Sequence, residues 1–365
     1  MTAAIGGPKS CLQARAFPQR LWSRLAEAGV LALGVPEEYG GSGLGLFEMA
    51  LVQERLAAHA LPLLLLVVGP GLSFMPMIRH GTSAQIQRYV APAMRGERIL
   101  CFGVTEPEAG SNTLLIASRL EPTSTGFTLS GHKTFISGAE HADHMLTVCR
   151  SAPYPAGSRE GITLVMVNLT APGVTIRPQA MAISTLDGQC EVFFDHVAID
   201  PEAIIGTLGE GFSYLFEGLN AERINVAAMA VGLGRYGLSQ AVQYARQRRV
   251  FHEVPIGAYQ GLQHPLAEAS THLELAWLMT QKAAFEYDLD RSASGPANMA
   301  KLAAVDAALE ALDIAIEVHG GNGFTEDYDL VSIWTLCRLL KTAPVSRELV
   351  LNFIATHLLG LPASR

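Results

Sequence analysis

Residues 101–137 read CFGVTEPEAGSNTLLIASRLEPTSTGFTLSGHKTFIS. A short apolar run leads into Thr105, Glu106 and Pro107, and then into the small-residue turn Gly110-Ser111-Asn112. Alternating segments follow: Gly126-Phe127-Thr128-Leu129-Ser130, a turn at Gly131, and Thr134-Phe135-Ile136-Ser137. Alternation punctuated by glycine and proline predicts antiparallel strands. The hydroxyls of Thr105, Ser111 and Ser137 then fall at strand ends, beside backbone N–H groups that glycine turns set free. Such a surface suits a flat heteroaromatic ring with several hydrogen-bonding edges. It suits the ordinary polar rim of a barrel equally well.

The words TEPEAGSN (105–112) and GHKTFIS (131–137) resemble the TEPGAGSD and GxKxWIT signatures of the acyl-CoA dehydrogenase family. The resemblance runs from about Phe17 to Pro362, with its motifs in the family's order. It implies an α+β multidomain chain with the acyl-CoA dehydrogenase fold. An α-helical N-terminal domain (1–99) would be followed by a β-barrel-like middle domain holding the flavin of FAD (100–205). A C-terminal four-helix bundle (206–365) would complete it.

Composition sets wider bounds. A chain of 365 residues can form two or three domains around a large core. The hydrophobic fraction is 49% and the charged fraction only 16%, well below the ordinary quarter. Too few charges to cover the surface implies that part of it is buried against another subunit. A net charge of -8 argues against a nucleic-acid partner. Cysteines 11, 101, 149, 190 and 337 are scattered and never form CxxC, which fits a reducing compartment and neither a disulfide framework nor a zinc site. The start, MTAAIGGPKS, lacks the apolar core of a signal peptide. The expected location is the cytoplasm of a bacterium, or the mitochondrial matrix of a eukaryote. Ala60 to Ile78 carries no charge over 19 residues, but Pro62, Pro70 and Pro76 argue for buried helices broken by turns and against a membrane span.

In chain order, 17–58 and 82–95 have helical periodicity, and 100–205 reads as strands. The cluster Pro36-Glu-Glu-Tyr-Gly-Gly-Ser-Gly-Leu-Gly45 does not satisfy GxGxxG and has no strand before it, so it is a loop and no dinucleotide site. The resemblance implies a chain that would begin late against the family, with most of a first helix missing. His141 and His144 have no third ligand beside them, so no metal is expected. No GxSxG elbow is present. Phe212–Arg249, Tyr259–Asp290 and Ala297–His319 are long amphipathic runs, and a fourth covers roughly Ser332–Leu359. Short links between them imply an antiparallel bundle.

One residue stands out chemically. Helical spacing puts Leu215, Leu219, Glu222, Val226, Met229 and Leu233 on one stripe. Desolvation raises the pKa of a carboxyl in such a place, which suits a general base near neutral pH. A buried ion pair with an arginine from another helix would explain the same pattern. The family resemblance weighs on this choice. Most members carry their catalytic glutamate in a C-terminal EGT motif, where this chain has Leu340-Lys341-Thr342, and a protonated lysine is no base. A subgroup resembling isovaleryl-CoA and long-chain dehydrogenases carries the base on the earlier helix, in a pattern such as GLDLER. Gly218-Leu219-Asn220-Ala221-Glu222-Arg223 matches it, which makes Glu222 the implied base. A backbone N–H near Lys341 and an FAD hydroxyl would stabilise the enolate.

The resemblance also implies the binding residues. Phe102, Val104, Thr105, Gly110 and Ser111 would lie along the flavin and the start of its pyrophosphate. Phe135 replaces a tryptophan wall, Ile136 follows it, and Ser137 matches the hydroxyl that reaches N5. Asn112 replaces the usual aspartate. From a neighbouring subunit would come Arg248 and Phe251 of Tyr244-Ala-Arg-Gln-Arg248-Arg-Val-Phe251, then Gln260, and then Glu317, Gly320 and Gly321 of a QxxGGxGF-like element. His252 stands in place of the family's glycine, and Glu317 in place of its glutamine. Ser111 and Arg223 match positions that touch CoA.

The implied protein is a homotetramer, or a dimer that shares its FAD sites. It would dehydrogenate an acyl-CoA and pass electrons to an electron-transferring flavoprotein. Two alternatives stay open: a flavin oxidase or monooxygenase on the same fold, and a partner subunit of a hetero-oligomeric dehydrogenase.

Overall fold

A computed structural model describes residues 17–151 and 157–363, so Cys11 and the question of the first helix lie outside the described residues. The chain divides into two compact units that exchange segments. One contains 17–45 and 64–222, and the other 46–63 and 223 onward.

The first unit is built on an eight-stranded sheet. Its strands are β1 (Leu100–Gly103), β2 (Arg119–Pro122), β3 (Phe127–Ser137), β4 (His144–Ser151), β5 (Ile162–Asn168), β6 (Val174–Pro178), β7 (Gln189–Ile199) and β8 (Ile204–Ile205). They run in the order β6-β7-β3-β2-β4-β5-β8, with β1 added to β4. Most pairs are antiparallel, but β1 and β2 both pair with β4 in parallel, which alternation alone does not reveal. Gly131 makes no turn. β3 runs straight through it, with a register shift against β7 between Leu129 and Gly131. A Cβ at Gly131 would lie 2.2 Å from Ser118 Oγ, so glycine here admits a neighbouring strand end and does not reverse the chain.

The prolines of 60–78 also act otherwise than expected. Leu64–Val68, Gly69–Ser73 and Phe74–His80 follow one another as helix without an intervening turn, the middle piece wound as a π-helix. Widening the helix around Pro70 accommodates its ring and missing N–H. Ser73 Oγ donates to Val68 O at 2.7 Å within this stretch. Asp187 Oδ2 caps its start by accepting the Leu64 N–H at 2.6 Å. The core joins Leu72, Phe74 and Met77 of these helices to Leu100, Phe102, Leu146 and Leu164 of the sheet, and to Leu215 of the next helix.

The second unit is helical: Leu46–Ala57, the C-terminal part of Gly211–Gln247, Gln260–Asp288, Ser294–His319, Leu330–Leu340 and Arg347–Phe353. Small residues let the helices approach closely. A Cβ at Gly234 would stand 2.5 Å from Leu273 Cδ2 and 2.9 Å from Ala308 Cα, and one at Gly232 2.2 Å from Glu54 O. Ala297, Ala300, Ala304, Ala308, Ala311 and Ala315 supply the matching buried stripe of Ser294–His319. Two expectations need correction. Residues 221–234 of the long helix are buried on every side, so this stretch is not amphipathic. The fourth run is two helices, because Lys341–Val345 interrupts it at Pro344 before Ser346 caps Arg347–Phe353 through Leu349 N–H at 3.3 Å.

Candidate active site

The motifs at 105–112 and 131–137 meet along the C-terminal half of β3, which lies inside the sheet between β7 and β2. Thr134 N–H donates to Thr105 O at 3.0 Å, which sets the loop after β1 beside the end of β3. Beneath it lies a pair that sequence reasoning left without a role. Lys133 Nζ donates to Glu106 Oε1 at 2.7 Å and to Val104 O at 3.0 Å. Glu106 also accepts the N–H groups of Ala117 and Ser118 at 2.6 and 3.0 Å. Burial pushes the Glu106 carboxyl up, but Lys133 and these donors hold it below its ordinary value. The available signal was the alternation of β3, which puts Lys133 on the same inward face as Leu129, where a lysine needs a carboxylate to survive burial.

Above this anchor the side chains diverge. Phe135 takes a positive φ of 57° and leaves its ring 57% exposed. Phe102 and Ile136 are buried, so they can offer a ligand only their backbone. Val104, Thr105 and Ser137 are half-buried, and Gly110, Ser111 and Asn112 are exposed. Ser137 Oγ accepts from Gln189 Nε2 at 2.8 Å, which leaves its hydroxyl hydrogen available to a ligand. Asn112 caps the turn at Thr113–Leu115 through Leu114 N–H at 3.2 Å. An exposed ring beside outward hydroxyls fits the flat, polar-edged isoalloxazine of FAD.

Glu222 lies where Gly211–Gln247 passes from one unit to the other. It and Arg223 are each 9% exposed, between fully buried Ala221 and Ile224. One turn earlier a Cβ at Gly218 would meet Leu72 Cδ1 at 2.8 Å, which fixes this turn against the core. Lys341, which the sequence match sets against the family's usual base, pairs through Nζ with Asp306 Oδ1 at 2.8 Å, and Arg347 shares the same carboxylate at 3.2 Å. The Lys341 N–H reaches Arg338 O in a long 3.2 Å bond.

The remaining candidates gather at one end of the helical unit. Tyr244 links them: Asn322 Nδ2 donates to its hydroxyl at 3.0 Å, and the His319 ring lies 4.3 Å away between centroids. The turn before Arg248 is thereby joined to the loop of Gly320 and Gly321. Tyr259, the residue before Gln260, donates to Phe251 O at 3.5 Å. Arg248, Gln260, Glu317, Gly320 and Gly321 are exposed, and Phe251 is 77% exposed. The His252 side chain lies outside the description. His141 and His144 have other tasks, stacking on Phe17 at 4.9 Å and meeting Tyr89 edge-on at 5.3 Å. Among the described residues no three His, Cys, Asp or Glu side chains converge as a metal site. No described helix is long and apolar enough to cross a membrane.

Models of the acyl-CoA dehydrogenase N-terminal, middle and C-terminal domains match residues 8–97, 101–197 and 209–359. Acyl-CoA dehydrogenase FadE12 of Mycobacterium tuberculosis is 42% identical over 346 residues, 94% of this chain and 89% of that protein. The chain belongs to the acyl-CoA dehydrogenase family. Butyryl-CoA dehydrogenase of Megasphaera elsdenii has the same fold, with a TM-score of 0.90 at 26% identity over 95% of this chain and 91% of that one. A chain from a structure described as the electron transferring flavoprotein of Acidaminococcus fermentans reaches 0.91 at 28% identity, covering 95% and 91%. As an acyl-CoA dehydrogenase the protein is an oxidoreductase that acts on acyl-CoA, and its family implies FAD.

Proposed function

We propose that this acyl-CoA dehydrogenase uses Glu222 to remove the α-proton of an acyl-CoA, giving the trans-2-enoyl-CoA. The observation that carries this is a pair of placements. Glu222 is a nearly buried carboxylate, while Lys341, at the position of the family's usual base, is a cation held by Asp306. Bound FAD supplies the acceptor for the β-hydrogen, which leaves as hydride.

The chain's own residues do the rest. Phe135 walls the ring, Ser137 and Thr105 offer hydroxyls to its edge, and Gly110 and Ser111 leave room for its phosphates. Glu222, 9% exposed, acts as the charged base at lowered dielectric and becomes a neutral carboxylic acid once it has taken the α-proton. Ser111 and Arg223 are assigned to the CoA moiety. Arg248, Phe251, Gln260, Glu317, Gly320 and Gly321, exposed in a single copy, are assigned to the pyrophosphate and adenosine of FAD bound to a second copy. The low charge content of the chain supports such an assembly. An electron-transferring flavoprotein is the proposed acceptor, in line with the neighbour just described.

Anaerobic mixing of the FAD-bound protein with acyl-CoAs of varied length, branching and aromatic content tests this. Wild type is expected to bleach with one class, which names the substrate. Glu222→Gln is expected to bind the same ligand and lose about 10²–10⁴ in bleaching rate. Equal bleaching by the variant removes Glu222 as base. Rapid reoxidation of the reduced protein in air would point to an oxidase instead.

A further inference from the structure

Phe135 combines a left-handed backbone with an exposed ring. A Cβ disfavours φ near 57°, and a ring 57% exposed lacks the packing that would impose such a conformation. The local ladder does not impose it either. The register of β3 against β7 shifts between Lys133 and Ile136, so Thr134 and Phe135 have no partner on β7.

One side chain takes the partner's place. Gln179, just past β6, accepts the Phe135 N–H on Oε1 at 3.0 Å and donates from Nε2 to Thr134 Oγ1 at 2.9 Å. The orientation of this amide is not arbitrary. A backbone N–H can only donate, so the oxygen must face it and the nitrogen must face the hydroxyl. Gln179 is itself anchored, because its own N–H donates to Gln189 O at 2.7 Å. Gln189 in turn pairs with Ser137 across the ladder and donates to its hydroxyl.

We propose that Gln179 is a positioning residue for the flavin face: by clamping the Thr134-Phe135 bulge, it projects the Phe135 ring as the wall against which the flavin stacks. This rests on the flavin-face assignment of residues 102–137.

Three variants of the full-length, FAD-bound protein test it. Gln179→Leu keeps the bulk and can neither accept nor donate. Gln179→Glu can accept from both the Phe135 N–H and the Thr134 hydroxyl, so it is the conservative rescue. Phe135→Gly adopts the same φ without a clamp. Gln179→Leu is expected to weaken FAD retention on dilution about tenfold, the scale of one or two lost hydrogen bonds, and to change the visible circular dichroism of bound flavin. Gln179→Glu is expected to return both towards wild type. In the Phe135→Gly background, Gln179→Leu should lower the melting temperature at saturating FAD by less than half as much as in wild type. The proposal is overturned if Gln179→Leu leaves retention and dichroism unchanged, if Gln179→Glu behaves like Gln179→Leu, or if the melting loss is the same in both backgrounds. Phe135→Leu separates the two claims. Unchanged dichroism and retention in that variant overturn the flavin-wall assignment, while the melting cycle still reads the clamp alone.

Discussion

Lys133 Nζ and Glu106 Oε1 stand 2.7 Å apart, with the lysine 0% and the glutamate 5% exposed. The pair bolts the loop after β1 to the centre of β3, and so joins the two signature motifs from beneath. The Val104 carbonyl and the Ala117 and Ser118 N–H groups complete the set around it, and leave little of either charge unsatisfied. Lys133→Met is expected to cost about 3–5 kcal/mol, because it strands an ionised carboxylate in the core. The double variant Lys133→Met/Glu106→Gln should recover a large part of that. Thermal or urea unfolding of the three proteins gives the comparison, and a single-variant loss under about 1 kcal/mol contradicts it.

Asp187 should make stability depend on pH. Burial pushes its carboxyl up to about 7, against the opposing pull of the Leu64 and Leu65 N–H groups. The folded pKa exceeds the unfolded value of about 3.9, so the folded protein binds the extra proton between those limits. Stability from this group is therefore largest at the acid end and falls as pH rises from about 4 to about 7. Asp187→Asn stays neutral throughout. Its melting temperature relative to wild type should climb across that window, by the equivalent of about 2–4 kcal/mol. A difference that does not vary with pH would refute the assignment.

Gly234 tests the close approach of helices. The methyl that alanine adds there would meet Leu273 Cδ2 at 2.5 Å and Ala308 Cα at 2.9 Å, so Gly234→Ala must displace a backbone. Overpacking of this kind costs about 1–3 kcal/mol, which outweighs the helix propensity alanine gains. A raised melting temperature would show that the helices can part without loss.

Lys341 is expected to matter little to chemistry. Its ion pair with Asp306 is partly exposed and backed by Arg347, so Lys341→Ala should cost about 0–1 kcal/mol. Flavin bleaching by substrate should stay within roughly threefold of wild type, in contrast to Glu222→Gln. A loss comparable to that of Glu222→Gln would give Lys341 a direct role.

Much of this was legible in the chain. The strands of 100–205 are short runs rich in β-branched and apolar residues, continuous and buried along β1, β4 and β5 and closer to alternating in β7, so their type follows from local pattern. The helices near 260–288 and 294–319 likewise show their period. Phe135 and Ser137 could be named from the words around them. What local pattern misjudged were glycine and proline, whose effect depends on what lies opposite. Gly131 looks like a turn until Ser118 is seen against it, and Pro70 looks like a break until the helix widens around it. The stripe through Glu222 was a weaker signal than it looked, because its neighbours Ala221, Ile224, Ala227 and Ala228 are equally buried.

The sequence by itself determined the family and most of the order of elements, and it named the candidate groups for chemistry, because these rest on residue type and on spacing along one segment. Only the tertiary structure decided that Lys133 neutralises Glu106, that Asp306 holds Lys341, and that Gln179 holds Phe135. Each of these joins residues 27 to 44 positions apart in side-chain hydrogen bonds and ion pairs. Such bonds depend on a few ångströms of three-dimensional placement, which no periodicity along the chain encodes.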